Sequence, residues 1–326
     1  MGLMEILYSS DQNYAKQLAV SVLSLISNSK KEDRFRIHVI DNGINRETRK
    51  ALEAIVLPEK GEILWEDFRE EINALNLTTS FPKSTFGRLF LDKFSLFDKI
   101  IYIDCDMVIL HSLSNLWCED MGDCMLMGVQ DSVDRSYREL VGLTAFERYI
   151  NAGFLVINLK AWRDNDITKK CIRYAHSWNG DIPHNDQGIL NAVCREKIKI
   201  LPPAYNLQNP MLEMSVEQIR RLGKIDVYYT QEEIDEAVKD PVVVHFTEEF
   251  YNRPWFAPCT HPYRDCYWRY ATQIAWHGEA KPHALSRNAK IMAYSKKWFS
   301  FWGYLLLMRV IGYKRSKRYE TKKHDE

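Results

Sequence analysis

Two aspartates separated by one residue directly follow an apolar run, and this arrangement constrains the chain more than any other feature of its sequence. The run over residues 99–103, Lys-Ile-Ile-Tyr-Ile, is rich in β-branched and aromatic residues and predicts a buried strand. Because side chains alternate along a strand, Asp104 and Asp106 can share one face while Cys105 points away. Neighbouring carboxylates repel each other, so a cation is their natural partner; two solvated acids at an ordinary loop start are the alternative.

The order of apolar and polar segments predicts an α/β fold. Repeated strand–helix–strand order favours a mainly parallel sheet with helices on both faces, and such sheets bind ligands at the carboxyl ends of their strands. The chain contains neither GxGxxG nor GxxxxGK[ST], so a dinucleotide fingerprint and a P-loop are both excluded. Strands are expected over residues 5–8, 36–40, 62–65, 99–103, 125–129, 153–159 and 242–244, and helices over residues 14–28, 46–56, 85–93 and 186–194.

Composition narrows the class of protein. Hydrophobic residues at 46% and charged residues at 27% are typical of a soluble globular chain, and a net charge of zero gives no indication of nucleic acid as a partner. Seven scattered cysteines without a CxxC pair predict reduced thiols in a cytosolic protein, as does the lack of a secretory signal after Met1. Zinc at Cys259, His261 and Cys266 is disfavoured because a fourth ligand is missing nearby.

The C-terminal residues differ from the rest of the chain. Residues 298–313 are aromatic and apolar, but they contain Arg309 and fall short of the roughly 20 residues that a membrane span needs. Residues 309–326 hold seven basic and three acidic side chains. This pattern predicts a helix lying on a membrane surface, with docking on the protein's own core as the alternative. We therefore expect a catalytic unit over residues 1–280 and a tail over residues 281–326.

Several further polar segments follow expected strands. The turn over residues 9–14, Ser-Ser-Asp-Gln-Asn-Tyr, closes the first strand and could hold a planar base and a ribose, although Asp11 as a simple helix cap is the alternative. Asn151 precedes an apolar strand, Asp186 opens a helix, and His245 ends a strand, where it could turn a nitrogen toward the aspartate pair. Each of these signals is weak alone.

Together these segments resemble glycosyltransferase family 8, over about Glu5 to Trp276. Within that span the nearest similarity is to bacterial galactosyl- and glucosyltransferases that build lipopolysaccharide and other surface glycans. The Asn-Ala-Gly-Phe and Asp-Gln segments make the match specific, because an Asp-x-Asp alone is common. The motifs that match in order and spacing are Asp104-Cys-Asp106, Tyr149-Ile-Asn-Ala-Gly-Phe154, Val156-Ile-Asn-Leu159, Asn185-Asp-Gln187 and Val244-His-Phe246.

The resemblance implies a fold, a reaction and a set of site residues. The fold would be of the GT-A type, transferring a hexose from a UDP-sugar to a glycan or glycolipid acceptor with retention of configuration, at the cytoplasmic face of the cell membrane. Asp104, Asp106 and His245 would bind a divalent ion, and an imidazole beside hard oxygens suits Mn²⁺ better than Mg²⁺. The implied donor-binding residues are Ser9, Asp11, Asn13, Tyr14, Arg88, Asp104, Cys105, Asp106, Asn151, Ala152 and Arg253, and the implied catalytic residues are Asp131, Asp186 and Gln187.

The segment after His245 departs from the family pattern. Relatives commonly carry His-x-x-Gly-x-x-Lys-Pro-Trp, whose Gly and Lys meet the diphosphate. Here the segment is two residues longer, has no Gly, and has Arg253 in place of Lys. An arginine can still clamp a phosphate, but Glu248 and Glu249 would oppose it unless they face away.

Two other hypotheses are weighed against the transferase. A nucleotidyltransferase on a similar sheet usually opens with a Gly-rich loop and a Lys, which the turn over residues 9–14 lacks. A non-catalytic sugar-nucleotide or glycan-binding protein would tolerate loss of metal ligands, yet all three are present.

The resemblance also bears on the mechanism of the transferase. Gln187 occupies the position that matches a nucleophile, but a neutral amide is a poor nucleophile. Departure of UDP and attack by the acceptor on one face of the sugar are therefore favoured.

Overall fold

A computed structural model describes residues 2–77, 83–144, 146–282 and 303. The strands are β1 Leu3–Ser10, β2 Arg34–Asp41, β3 Gly61–Glu66, β4 Lys99–Ile103, β5 Met107–Ile109, β6 Leu126–Gln130, β7 Ile150–Asn158, β8 Ile198–Ile200, β9 Val243–His245, β10 Phe256–Ala257 and β11 Lys281–Pro282. The α-helices are α1 Ala15–Ser27, α2 Arg46–Glu53, α3 Arg69–Ala74, α4 Ser114–Cys118, α5 Arg135–Leu140, α6 Leu159–Asp164, α7 Ile167–His176, α8 Asn185–Cys194, α9 Asn209–Glu213, α10 Val216–Gly223, α11 Gln231–Lys239 and α12 Arg264–Ala271. Shorter 3₁₀ helices cover Lys83–Leu89, Leu91–Lys93, Arg195–Lys197 and Pro203–Asn206.

Seven strands form one mostly parallel sheet in the order β3-β2-β1-β4-β7-β6-β8. β7 is the exception, because it runs antiparallel to both of its neighbours, β4 and β6. Its first residues therefore lie beside the carboxyl end of β4, where Ile103 is paired with Phe154. This reversal places the Asn151–Gly153 segment next to Asp104.

The sheet is buried on both faces. Ile101 and Ile103 of β4 pack into the apolar cluster that includes Leu18 of α1, while Ile100 and Tyr102 pack into the opposite cluster. Alternation along β4 thus separates the two clusters, as expected for a strand covered on both sides. Because Tyr102 and Asp104 are two residues apart, both belong to the same face.

A small second sheet contains β9, which was predicted at residues 242–244, and β5, which was not anticipated from the sequence. β5 and β9 pair antiparallel, with Met107 opposite His245 and Ile109 opposite Val243. These strands have three residues each, too few to show a period in the sequence. Their pairing is what brings His245 to the aspartates.

The predicted order of elements is confirmed, with local corrections. Residues 85–93 form two 3₁₀ helices in place of the expected α-helix, since Gly87 disfavours a helix and packs tightly against Ile40. β7 begins at Ile150, so Asn151 lies inside the strand and not before it, because its ladder continues to pair with β6 as far as Gln130. β1 extends to Ser10, so both serines of the predicted turn belong to the strand.

Three further predictions concern the cysteines, the C-terminal residues and the possibility of a membrane-spanning helix. All seven cysteines are free, in agreement with reduced thiols. The aromatic segment at residues 298–313 and the basic tail lie outside the described residues apart from Gly303, so the membrane-surface helix and the boundary at residue 280 stay predictions. Among the helices described, none combines the length and apolarity required to cross a bilayer.

Candidate active site

Asp104 is held at the end of β4 by three contacts. Its backbone N–H donates to the Gly153 carbonyl at 2.7 Å, which joins it to β7. The Tyr102 hydroxyl donates to its Oδ1 at 2.7 Å, and Nη2 of Arg88 lies 3.2 Å from the same oxygen. The two side-chain contacts are both to Oδ1, and the other carboxylate oxygen, Oδ2, lies beside Gly153.

Asp104, Asp106 and His245 form an Asp–Asp–His cluster. One potential ligand atom from each lies within 4.8 Å of the others, and it is the single group of this kind in the described part of the chain. His245 Nε2 is 3.3 Å from Asp106 Oδ1. Burial alone would raise the pKa of Asp106, but His245 and Arg253 outweigh it and lower the pKa to about 2. Burial likewise opposes protonation of His245, yet Asp106 and Asp104 raise its pKa.

The space around this cluster suits a divalent ion. A Cβ atom at Gly153 would lie 2.7 Å from His245 Cε1 and 2.8 Å from Asp104 Oδ2, so only glycine leaves the ligand atoms free to converge. Two carboxylates and one imidazole are ligands that first-row divalent ions accept. A divalent-metal site of this kind was predicted from the sequence, and the residues present fit it.

A second polar group lies beside the cluster. Asn151 Nδ2 and Gln187 Nε2 both donate to Asp131 Oδ2, at 2.9 and 3.1 Å. Gln187 Oε1 in turn accepts the Ala152 backbone N–H at 2.9 Å. Both ends of the Gln187 amide are therefore engaged, and its orientation is fixed.

Asp186 faces Arg88 at the start of α8. Arg88 Nε and Asp186 Oδ2 are 2.8 Å apart, which is close enough for an ion pair. Their contact does not count as a hydrogen bond, and neither atom has a hydrogen-bond partner elsewhere in the described residues. Burial raises the pKa of Asp186 to about 6, with Arg88 opposing the shift and Asp104 adding to it. Arg88 also donates to the Ala152 carbonyl and lies 4.0 Å over the Tyr102 ring, so it joins the cluster to the second polar group.

Two adjoining cavities contain nearly all of the predicted site residues. Both are lined by Arg88 and Asp104, so they meet at the Asp–Asp–His cluster. The larger cavity, of about 630 Å³, is also lined by Asp131, Asn151, Ala152, Asp186, Gln187, His245 and Arg253. The smaller cavity, of about 290 Å³, is also lined by Ser9, Asp11, Tyr14, Cys105 and Asp106. Asn13 lines neither of them and borders a third cavity of about 390 Å³.

The polar groups of the turn after β1 form hydrogen bonds with residues of the turn itself and of the adjacent elements. Asp11 Oδ1 accepts the backbone N–H groups of Asn13 and Tyr14 at 2.9 and 3.0 Å, which closes the turn. The alternative of Asp11 as the helix cap is wrong, because the N-cap of α1 is Tyr14, which forms no side-chain cap hydrogen bond. Ser9 Oγ accepts from Asn42 Nδ2, while the buried Cys105 thiol donates to the Ser9 carbonyl. Burial raises the pKa of that thiol well above its usual range, so Cys105 packs as a neutral group.

The segment after His245 lies beside the cluster. Arg253, which stands in the sequence where the family pattern has a lysine, has its Nη2 3.2 Å from Asp106 Oδ2. Glu248 and Glu249 line the larger cavity, so they do not face away from the site. Burial opposes the charge of Arg253, but Asp106 raises its pKa, with Tyr14 and Glu248 adding to the shift. Glu249 adds in the same way to the shift that Asp106 and Asp104 cause in the pKa of His245.

Two residues that contact the predicted site were missed in the sequence. Tyr102 donates to Asp104, and strand alternation alone could have placed it on the same face. Asn206 lies 3.1 Å from the Nδ1 atom of His245 and is fully buried. It sits in a short segment with no periodic pattern, so no sequence signal pointed to it.

The comparisons with known proteins agree with this architecture. The family model described as "Glycosyl transferase family 8" matches residues 5–259. General stress protein A of Bacillus subtilis is 27% identical over 86% of this chain and 97% of its own, and lipopolysaccharide 1,2-glucosyltransferase of Escherichia coli is 27% identical over 88% and 85%. The galactosyltransferase LgtC, solved with donor and acceptor sugar analogues, superposes with a TM-score of 0.70 and 26% identity over 83% of this chain and 96% of its own.

The fold and the site together define a sugar-transferring enzyme of the GT-A type, as the sequence predicted. The chain belongs to glycosyltransferase family 8. Its activity is therefore glycosyl transfer, and the Asp–Asp–His cluster is its candidate metal site.

Proposed function

We propose that this chain is a retaining, Mn²⁺-dependent hexosyltransferase that moves glucose or galactose from a UDP-sugar to a glycan acceptor. One observation carries the proposal. Asp104 and His245 of the Asp–Asp–His cluster line the same cavity as Asp131, Asp186 and Gln187. Ligands for an ion and polar groups for a sugar therefore adjoin, as a transfer from an ion-bound diphosphate to an acceptor requires.

The donor would lie across both cavities. The smaller cavity offers the Tyr14 ring and the strand ends beside it for the uridine, and the larger one offers room for the hexose and the acceptor. Asp104, Asp106 and His245 would hold the ion, which when bound neutralises the charge of the UDP leaving group. Arg253, beside Asp106, would clamp the same diphosphate with its planar fork.

The contacts of Gln187 favour reaction on one face of the sugar. A double displacement needs a nucleophile beneath the anomeric carbon, but the Gln187 amide is neutral and bonded at both ends. In the front-side reaction, the bond from the anomeric carbon to UDP breaks while the acceptor oxygen bonds on the same face, and the UDP phosphate takes the acceptor proton. Asp131 and Asp186 would stabilise the positive charge that develops on the sugar.

The relatives supply the biological setting of the proposal. The Escherichia coli relative is a lipopolysaccharide glucosyltransferase, and the acceptor proposed here is likewise a cell-surface polysaccharide or lipopolysaccharide. The basic and aromatic residues 281–326 would hold the catalytic unit, residues 1–280, at the inner face of the cell membrane.

Release of UDP is the direct test. We expect UDP to appear from UDP-glucose or UDP-galactose in the presence of Mn²⁺ and to stop on chelation. Asp104→Asn should abolish release while the protein stays folded, whereas Asp98→Asn, which changes an exposed acid paired with Arg163, should not affect it. Absence of UDP release from both donors with acceptor glycans present would refute the proposal. Unchanged release in Asp104→Asn would remove the role of the cluster.

A further inference from the structure

We infer that Asn206 is a positioning residue that fixes which nitrogen of His245 faces the Asp–Asp–His cluster. The inference depends on the proposed function only for the identity of the ion. It follows from a chain of hydrogen bonds that joins four polar residues, His245, Asn206, Asn151 and Asp131.

The backbone holds Asn206 rigidly in place. It ends the 3₁₀ helix Pro203–Asn206, and the next residue, Leu207, is bonded on both sides to β9. The Leu207 N–H donates to the Val243 carbonyl at 2.9 Å, and the His245 N–H donates to the Leu207 carbonyl at 3.0 Å. The side chain of Asn206 is fully buried, so it cannot exchange its partners for water.

The direction of each hydrogen bond is set by a backbone amide. The Gly153 N–H can only donate, so the Asn151 atom 2.9 Å away must be the oxygen. The other Asn151 atom, the nitrogen, then donates to Asp131 Oδ2, which as a carboxylate oxygen accepts. The Asn206 atom that lies 2.9 Å from the same Asn151 oxygen must therefore be its nitrogen, because two amide oxygens would repel.

Once Asn206 is oriented, the atom that faces His245 Nδ1 is determined. The remaining amide atom of Asn206, its oxygen, lies 3.1 Å from His245 Nδ1. An oxygen can only accept there, so Asn206 selects the ring that carries its proton on Nδ1, in competition with Asp106 Oδ1, which lies 3.3 Å from Nε2 while no ion is bound. The neutral ring then keeps its lone pair on Nε2, the nitrogen 3.3 Å from Asp106, which is the form that a metal ion requires.

The same chain of hydrogen bonds joins the cluster to the proposed sugar-binding side of the larger cavity. Asn151 shares its oxygen between Gly153 and Asn206, and its nitrogen reaches Asp131, which also accepts from Gln187. Loss of Asn206 would leave the Nδ1 proton of His245 without a partner and would remove one of the two hydrogen bonds that the Asn151 oxygen accepts. Asn206 thus positions groups on both sides although it lines neither of the two cavities.

The unmodified protein provides the first test. Long-range ¹H–¹⁵N correlation spectra of ¹⁵N-histidine-labelled, metal-free protein at alkaline pH, where the rings are neutral, report the proton position on each imidazole. We expect the Nδ1-protonated form for His245, with its resonance assigned through a His245→Gln variant. The Nε2-protonated form would overturn the inference, whatever the enzyme's activity.

A pair of variants provides the second test. Asn206→Leu keeps the volume but removes both hydrogen bonds, and we expect its Mn²⁺ affinity, measured by electron paramagnetic resonance, to fall about 10–100-fold. Asn191→Leu is the matched control, because Asn191 is equally buried and, among the described residues, its side chain bonds to backbone atoms of Ile150 and Gln187 alone. Its affinity should stay within about twofold of the unmodified protein.

The outcomes separate this inference from the proposed function. If folded Asn206→Leu binds Mn²⁺ as tightly as the unmodified protein, the positioning role is wrong. If the unmodified protein binds Mn²⁺ and shows the expected tautomer but releases no UDP, the inference stands and the proposed function fails. Should Asn206→Leu not fold, the tautomer of the unmodified protein decides the question.

Discussion

The Arg253 guanidinium bridges Asp106 and Tyr14. Its Nη2 atom lies 3.2 Å from Asp106 Oδ2, while Nη1 donates to the Tyr14 hydroxyl at 2.5 Å. Nε donates to the Phe246 carbonyl at 3.2 Å, so all three nitrogens of the fork have partners. A lysine could supply the charge but not these three directions at once. The longer segment after His245 is therefore anchored at the cluster through the geometry of arginine.

This bridge predicts a graded loss of UDP affinity. Arg253→Ala should weaken UDP binding in the presence of Mn²⁺ by about 10–100-fold, since charge-assisted hydrogen bonds contribute roughly 1.5–3 kcal/mol. Arg253→Lys should retain part of the affinity, because the charge stays while the fork is lost. Isothermal titration calorimetry measures both. Arg69→Ala, which removes an exposed arginine paired with Asp67, is the control and should bind UDP normally.

Gly153 is expected to be required for the ion and not only for the sheet. Gly153→Ala would place a Cβ 2.7 Å from His245 and 2.8 Å from Asp104, and we expect Mn²⁺ affinity to fall by about tenfold or more. Gly128→Ala is the matched control, because the atoms nearest to its Cβ would belong to the apolar side chains of Ile150 and Leu155 in the same sheet. That variant should lose thermal stability yet bind Mn²⁺ normally. Equal effects of both variants on affinity would contradict the prediction.

Glu248 and Glu249 add negative charge to the cavity that receives a diphosphate. We expect the double variant Glu248→Gln/Glu249→Gln to bind UDP roughly twofold to tenfold more tightly at low salt, with the gain shrinking as ionic strength rises. Titrations at two salt concentrations measure this difference. Glu232→Gln, an exposed change on α11, should have no effect at either concentration. Weaker UDP binding in the double variant would show that the two glutamates assist the donor.

The first half of the fold could be predicted because its signals are local. β1 to β4 are apolar runs separated by helical segments, and a period of two or 3.6 residues is visible within each. The reversed direction of β7 and the pairing of β5 with β9 depend on contacts between distant parts of the chain. Three-residue strands such as Val243–His245 carry too little pattern to reveal their partners.

The candidate site likewise contains residues that the sequence could reveal and residues that only the fold could reveal. Asp104, Asp106 and His245 could be found because chemistry restricts their residue types and a family motif fixes their order. Asn206 could not, since a buried asparagine acquires its role only through the residues that the fold brings to it. The direction in which Glu248 faces was likewise open in the sequence, because it depends on the backbone path between His245 and Arg253.

A buried histidine far from the cluster makes folding stability depend on pH. His38 on β2 lies between two glutamates, with Nδ1 2.7 Å from Glu66 Oε1 and Nε2 2.9 Å from Glu5 Oε2. Both nitrogens can donate to these carboxylates only when the ring is protonated. Burial opposes that charge, but the two glutamates outweigh it and raise the pKa of His38 above 6.5.

The sign of the effect is set by linkage. A histidine whose pKa is raised by folding contributes stability that is fully present below pH 6.5 and is lost as pH rises through the folded pKa. Urea unfolding at intervals from about pH 5.5 to 8.5 should therefore show stability falling across that window. His38→Gln should show a smaller fall, and His245, whose pKa is also raised, accounts for the remainder. His261→Gln is the comparison variant, because the pKa of His261 is shifted in the opposite direction from that of His38. Burial lowers the pKa of His261 to about 4, so its contribution is lost instead as pH falls below 6.5. An identical pH profile for His38→Gln and the unmodified protein would show that His38 is not charged in the folded state.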